Sequence, residues 1–122
     1  MRAYTVAVAA LALDVDPKWI DNVLSHHHIK GVERKRQGIQ RRIPPESLLT
    51  LAGARHLVDA LGLPISRAIE LVEKAGTSAG RAEASPLLQI ELDLTTVANE
   101  VNERLADAVE GAAYKPRGRP ST

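Results

Sequence analysis

The residues at the C-terminal end of this 122-residue chain combine two arginines with the backbone restraints that would present them to an anion. Arg117 and Arg119 flank Gly118, and a proline lies on the outer side of each arginine. Prolines favour an extended backbone, and glycine has no Cβ to strike a wall beside the chain. Two guanidinium groups held in this way suit a narrow groove of strongly negative potential, such as the minor groove of A·T-rich DNA.

This C-terminal sequence, Pro-Arg-Gly-Arg-Pro, resembles an AT-hook. The resemblance implies that Arg117, Gly118 and Arg119 lie along the floor of the minor groove. The alternative is a disordered basic tail that serves solubility. Residues 111–122 are therefore predicted to be a disordered, AT-hook-like tail, and the rest of the chain must provide the scaffold that carries it.

Composition favours a mainly α-helical scaffold with one modest core and an accessory element. The chain is 44% hydrophobic but has only one Trp, two Tyr and no Phe, so Ala and Leu must fill the core. It also has no cysteine, which excludes disulfides, zinc knuckles and metal sensing by thiolates. A reducing, cytoplasmic and nucleoid-associated location is compatible with this composition.

The formal net charge of +1 conceals two segments of opposite charge. Residues 29–43 carry six cations against one anion, and residues 87–111 carry six anions against one cation. The segregation indicates one surface for a polyanion and another for a partner of different chemistry. The alternative is two solvated faces without partners.

The first half of the chain begins with two short helices. Thr5 is a suitable N-cap for a helix that ends near Leu13, and residues 14–16 form a tight turn. Asp16 then caps a second helix that starts at Pro17, where the missing N–H has no cost. Helical spacing turns apolar residues of the second helix inward and leaves four candidate DNA contacts wholly or partly outward: Lys18, Trp19, Asn22 and His26. For Trp19, packing against the first helix or against the basic hairpin that follows the second helix remains an equal alternative to stacking on the DNA backbone.

A basic hairpin is predicted after these helices. Residues 29–33 and 39–43 favour strands, and the charged segment 34–38 between them contains a glycine. We call this hairpin the wing. It would contact DNA phosphates through its six cations, Lys30, Arg34, Lys35, Arg36, Arg41 and Arg42. A third helix is then predicted from Pro45 or Glu46 to Leu61, with Gly62 after its end, and a fourth from Pro64 or Ser66 to Gly76.

Across residues 3–76 the chain resembles the MerR-like winged helix-turn-helix family, including its smaller excisionase-like members. The resemblance is carried by the helix and turn from Thr5 to Asp16, the wing end Gln40-Arg41-Arg42-Ile43-Pro44, the following Glu46-Ser47-Leu48, and the joint Leu61-Gly62-Leu63-Pro64-Ile65. It implies that the second helix reads the major groove while wing arginines contact the backbone and minor-groove edges. The chain departs from the family at Asp21-Asn22-Val23, where many members have an arginine followed by aromatics, and at Ile43, where the family usually has tyrosine. The cysteines of the metal-sensing members are absent.

The last third is predicted to be a linker at 77–86, a strand-helix element at 87–110 and the tail at 111–122. Residues 88–94 alternate between apolar and polar, which indicates a half-buried strand. Such a strand needs a partner, either the wing sheet or its twin in a second subunit. A helix capped by Thr95 or Thr96 follows to about Glu110, and its apolar stripe would form a homodimer interface or fold back on the chain's own core.

Metal binding and catalysis are not predicted. His26, His27 and His28 are consecutive and point in different directions on a helix, and His56 is the only other histidine. Phosphate-cradling loops of the Walker type, nucleophile elbows and dinucleotide fingerprints are absent from the sequence, so we expect no cofactor and no enzymatic activity. The apolar start could resemble a signal peptide, but the predicted first helix needs these residues, and no stretch approaches a membrane span.

The sequence therefore predicts a dimeric, sequence-specific protein that binds double-stranded DNA and acts as a transcriptional regulator or repressor. One alternative is an antitoxin-like autoregulator whose acidic last third binds a partner protein. A further alternative is a phage excisionase or architectural protein that bends DNA.

Overall fold

The computed structural model describes residues 3–32 and 41–114, with side chains described through residue 110. Within these ranges the chain is mainly helical with one two-stranded antiparallel hairpin, which confirms the predicted mainly α class. The elements are α1 (Val6–Leu13), α2 (Pro17–His26), α3 (Pro45–Leu61), α4 (Ile65–Gly76), β1 (Arg81–Ser85), β2 (Leu88–Glu91) and α5 (Leu94–Tyr114).

The first two helices begin at the predicted caps. The Thr5 hydroxyl accepts a hydrogen bond from the Val8 N–H at 3.2 Å, and the Asp16 carboxylate accepts one from the Lys18 N–H at 2.8 Å. Asp14 ends α1 in the left-handed conformation, with φ 56°. The chain therefore turns within three residues, and α2 starts at Pro17 against α1.

The segment after α2 differs from the predicted first strand of a wing. Residues 29–32 form a turn in which the Val32 N–H donates to the Ile29 carbonyl at 3.1 Å. Gly31 has φ +97°, which a strand residue does not adopt. On the other side of the predicted wing, Ile43 forms an isolated antiparallel bridge with Tyr4, with N–H to carbonyl distances of 2.8 and 2.9 Å. Residues 33–40, which hold the rest of the predicted wing, lie outside the described residues.

The core lies where α3 packs against α4 and α5, and α5 packs in turn against α1. Leu48 and Leu51 of α3 are fully buried, as is Ala68 of α4. Helix α3 ends at Leu61, and Gly62 has φ +68°, as predicted for a residue that follows a helix. Helix α4 starts at Ile65, between the two predicted starts Pro64 and Ser66, and no side chain caps it.

The predicted linker at 77–86 is wrong for residues 81–85, which form β1. Strand β1 pairs antiparallel with β2, with Ala82 opposite Ile90. The predicted strand therefore exists over Leu88–Glu91, whereas Leu94 belongs to α5, and in this structure the partner of the strand is neither the wing nor a twin strand. Ala82 is buried against α4, and the Gly80 carbonyl accepts a hydrogen bond from the Leu92 N–H at 2.6 Å.

Helix α5 folds back on the same chain, so of the two alternatives for its apolar stripe the structure favours burial in the chain's own core. Val101, Leu105 and Ala108 are buried, and the helix packs against α1 and α3. It also extends to Tyr114, four residues beyond the predicted end. None of the helices in the described ranges is both long enough and apolar enough to cross a membrane.

Asp93, rather than Thr95 or Thr96, caps the start of α5. Its carboxylate accepts a hydrogen bond from the Thr96 N–H at 3.0 Å. This backbone bond, followed by one from the Thr96 hydroxyl, holds the pKa of Asp93 below the ordinary aspartate value. The charged carboxylate is therefore the form that stabilises the helix start.

We expect Asp93→Ala to lower the thermal unfolding midpoint at neutral pH. Because the folded-state pKa is depressed, the cap's contribution is present above the unfolded aspartate pKa of about 3.9 and is lost as the pH falls through the folded value. The difference in midpoint between the variant and the unmodified chain should shrink over that acid range. Asp107→Ala is the matched control, since Asp107 is exposed within α5 and far from its start. A difference that persists unchanged into acid would contradict the cap.

Candidate nucleic-acid interface

Helix α2 presents most of its surface to solvent. Its two buried residues are Ile20 and Val23, and the main packing partner of α2 is α1. Three predicted contact residues, Lys18, Asn22 and His26, are exposed. They follow one another at intervals of four residues and therefore form one stripe along the helix. We call these three residues the α2 stripe.

Arg41, which the sequence predicts as a phosphate contact, lies against a neighbouring face of α2. The Arg41 guanidinium donates to the Asp21 carbonyl at 3.3 Å and to the Asp21 carboxylate at 3.4 Å, and its second terminal nitrogen donates to the Ser25 hydroxyl at 3.2 Å. Its side chain is only 8% exposed. In this structure Arg41 therefore fixes α2 to the end of the predicted wing segment and is not presented to phosphate.

This contact also explains the aspartate at position 21. A carboxylate on a DNA-facing helix would repel phosphate, but Asp21 lies beside the Arg41 guanidinium, which compensates its charge. Asp16 is likewise engaged, since it caps α2. The two acidic side chains next to the α2 stripe therefore both have roles within the fold.

The turn at 29–32 is anchored through the backbone of Lys30. The Lys30 N–H donates to the Glu73 carboxylate of α4 at 3.2 Å. The Lys30 carbonyl accepts from the Ser47 hydroxyl of α3 at 2.7 Å, and Ser47 is completely buried. The Lys30 residue itself is exposed, as is Arg42. Both cations are therefore accessible from solvent on backbone that the fold holds in place.

Trp19 lies against α3, a partner that the sequence did not predict. The Arg55 guanidinium lies 5.0 Å from the centre of the Trp19 ring, which is a cation–π contact. Arg55 in turn pairs with Asp59 at 3.1 Å. The Arg55 guanidinium therefore lies over one face of the ring, and this contact supports a role for Trp19 within the fold rather than in stacking on DNA.

The ring of His26 is oriented by the backbone of its own helix. Its Nδ1 lies 2.9 Å from the Asn22 carbonyl, and because a carbonyl only accepts, Nδ1 carries the proton. In the neutral ring, Nε2 is then an acceptor, and in the imidazolium form it is a donor. In residues 3–32 and 41–110, no group of three or more His, Asp or Glu side chains is arranged to hold a metal ion.

Sequence reasoning missed the residues that hold this surface in place: Asp21, Ser25, Ser47, Arg55 and Glu73. Their spacing to Arg41, Lys30 and Trp19 in the chain carries no local signal. Of the predicted contacts, Arg34, Lys35, Arg36, Arg117, Gly118 and Arg119 lie outside the described residues.

Charge on the described part of this surface is consequently positive. Lys18, Lys30 and Arg42 are exposed, while Asp16 and Asp21 are engaged within the fold. The acidic residues of α5, which include Glu103, Asp107 and Glu110, are also exposed.

Comparison of the chain with protein-family models, with curated proteins and with solved structures finds no match.

Proposed function

We propose that this protein binds double-stranded DNA sequence-specifically and acts as a transcriptional regulator, most simply a repressor that occupies an operator. The observation that carries the proposal is the α2 stripe. A short helix follows α1 after a three-residue turn, buries only the side that faces the fold and exposes Lys18, Asn22 and His26. Such a helix can enter the major groove with these side chains toward the DNA.

Each residue of the α2 stripe has a chemical role in this proposal. The Asn22 amide has both a donor and an acceptor and can pair with the N6 and N7 positions of adenine. Lys18 lies in the first turn of α2, where its ammonium group can reach a phosphate or a base acceptor. His26 can use Nε2 toward a phosphate oxygen when its ring is protonated.

Phosphate contacts would come from cations around α2. Lys30 and Arg42 are exposed and supply two of them, and Arg34, Lys35 and Arg36 would supply others from the predicted wing. The bridge between Tyr4 and Ile43 supports a winged arrangement, because it joins the residue before the cap of α1 to the end of the wing segment. In the same proposal, Arg117, Gly118 and Arg119 occupy an adjacent A·T-rich minor groove.

Replacement of Asn22 tests base readout by α2. We expect Asn22→Ala to weaken binding to the preferred site about tenfold and to relax the preference at one base pair, because one bidentate contact is lost. Binding to unrelated duplexes should change little, since phosphate contacts dominate it. The measurement is a competition titration against a library of sites selected with the unmodified protein.

Asn102→Ala is the matched control, because Asn102 is an exposed asparagine on α5. It should bind like the unmodified protein. An Asn22→Ala variant that keeps both affinity and base preference would show that α2 does not read the site.

A second candidate function is that of an antitoxin-like protein which binds a partner through α5. The observation in its favour is the exposed acidic face of Glu103, Asp107 and Glu110, which suits a basic protein surface. Charge reversal at Glu103 and Asp107 would abolish neutralisation of a co-transcribed toxin while leaving DNA binding intact. Loss of DNA binding in the same variant would point instead to a general effect on the fold.

A further inference from the structure

Strand β2 has an outer edge that no other element of the described chain covers. The sheet has two strands, and β1 is the one that packs on α4. The Leu92 N–H bonds to the Gly80 carbonyl, and Ile90 is opposite Ala82 in the same alternation. In an antiparallel ladder the intervening residues of β2, Gln89 and Glu91, therefore direct their N–H and carbonyl groups away from β1.

The apolar face of β2 extends beyond the cover that α4 provides. Ala82, on the same face of β1, is 4% exposed, whereas Ile90 is half-buried and Leu88 is 57% exposed. Leu92 is also only half-buried. An open backbone edge and an uncovered apolar face thus occur on the same strand, a combination that favours addition of another strand.

We infer that a second copy of this chain occupies the edge, with β2 pairing antiparallel to the partner's β2 about a two-fold axis. In the register we assign, Gln89 is opposite the partner's Glu91, and Ile90 is opposite the partner's Ile90. Leu88 is then opposite the partner's Leu92. The result is a four-stranded sheet whose two central strands form a continuous apolar ladder on the face that carries α4.

Charge and side-chain pairing select this register from its neighbours. A shift that places Glu91 opposite the partner's Glu91 brings two carboxylates together, which is unfavourable. The opposite shift places Gln89 opposite the partner's Gln89, but it moves Leu92 opposite Pro86 and Glu91 opposite Leu87. Among these registers, only the assigned one pairs every apolar residue from 88 to 92 with an apolar residue of the same segment and opposes no like charges.

Pairing through β2 places the dimer interface on the strand of the 87–110 element rather than on its helix. The stripe of α5 is used within the chain, so the strand edge is what remains of the 87–110 element for association. A strand of this length buries less than the roughly 1,600 Å² of a standard interface, so the dimer should be reversible and depend on protein concentration. Dimer formation through β2 does not require DNA, so it can be measured with the protein alone.

A single cysteine at position 90 tests the two-fold register directly, because the natural chain contains none. Residues 90 of the two copies form a non-hydrogen-bonded pair with Cα atoms about 4.5 Å apart, within the range of a disulfide. We expect Ile90→Cys to form a covalent dimer rapidly in oxidised glutathione. The control Leu61→Cys lies at the end of α3 and is 58% exposed, so its thiol is accessible but far from the edge. Equal rates of dimer formation in the two variants would overturn the register.

Sedimentation equilibrium of Gln89 variants provides a test without a disulfide. Gln89→Lys places a cation opposite the partner's Glu91 and should tighten the dimer, whereas Gln89→Glu opposes two carboxylates and should weaken it. Because each pair occurs twice, we expect the two dissociation constants to differ by about tenfold. The unmodified chain should show a mass that rises from monomer to dimer with concentration. A monomer mass throughout, or a lysine variant weaker than the glutamate variant, would overturn the inference.

Discussion

Gly31→Ala is expected to lower the free energy of unfolding by about 3 kcal/mol, combining backbone strain at a positive φ with the loss of a buried hydrogen bond. Gly31 has φ +97°, which disfavours any residue with a Cβ. An added Cβ would also lie 2.6 Å from the Ser47 hydroxyl oxygen. That hydroxyl is fully buried and donates to the Lys30 carbonyl, so it cannot move without losing its acceptor.

Gly62→Ala is the control that separates the two causes. Gly62 also has a positive φ, +68°, but an added Cβ there would meet no atom within 4 Å. Gly62→Ala should therefore lower the free energy of unfolding only through backbone strain, by about 1 kcal/mol. Denaturant unfolding measures both variants. Equal losses would show that the contact between the 29–32 turn and Ser47 does not restrain the turn.

Arg41→Ala is expected to lower the free energy of unfolding by about 2 kcal/mol, because a nearly buried guanidinium with a charged partner and two further acceptors is lost. Arg41→Lys should recover only part of this, since a single ammonium group cannot reach Asp21 and Ser25 with the geometry of a planar guanidinium. Because Arg41 connects α2 to the end of the predicted wing segment, the variant should also weaken DNA binding through a displaced α2. Chemical denaturation and a binding titration measure the two effects.

The neighbouring Arg42 is the matched control for Arg41. It is exposed, so Arg42→Ala should change stability by less than about 0.5 kcal/mol. If Arg42 contacts phosphate as proposed, its loss should reduce the slope of log affinity against log salt by about one and leave the base preference unchanged. Equal effects of the two substitutions on stability would contradict the different positions of the two side chains.

The helices of the first half were predictable because their signals are local. Thr5 and Asp16 cap helices through hydrogen bonds to residues two or three positions away, and Gly62 ends α3 through its own backbone conformation. Such contacts need no knowledge of the rest of the fold. The element boundaries set by these residues therefore agree between sequence and structure.

The missed features depend on partners distant in the chain. Strand β1 consists of Arg-Ala-Glu-Ala-Ser, in which only alanines alternate with polar residues. This composition has little strand preference, and the strand forms by pairing with β2 and packing on α4. Residues 29–32 favour a strand by type, but Ser47 and Glu73 hold their backbone in a turn. The stripe of α5 indicates burial without indicating which surface buries it.

The same limit applies to the candidate site. Arg41 and Arg42 are identical in type and adjacent in sequence, so charge alone predicts one role for both. The structure separates them through Asp21 and Ser25, which lie on α2 at a distance of 20 and 16 residues from Arg41. Exposure of Lys18, Asn22 and His26 was predictable because helical periodicity alone determines it.

Binding of the 122-residue chain to duplex DNA at low ionic strength is the most direct test of the proposed function. We would titrate it against genomic fragments with footprinting, and against duplexes whose flanks are A·T-rich or G·C-rich. Under the proposed function we expect a protected site, an affinity that falls steeply with added salt, and tighter binding with A·T-rich flanks. Failure to bind duplexes of any composition at low ionic strength would contradict it.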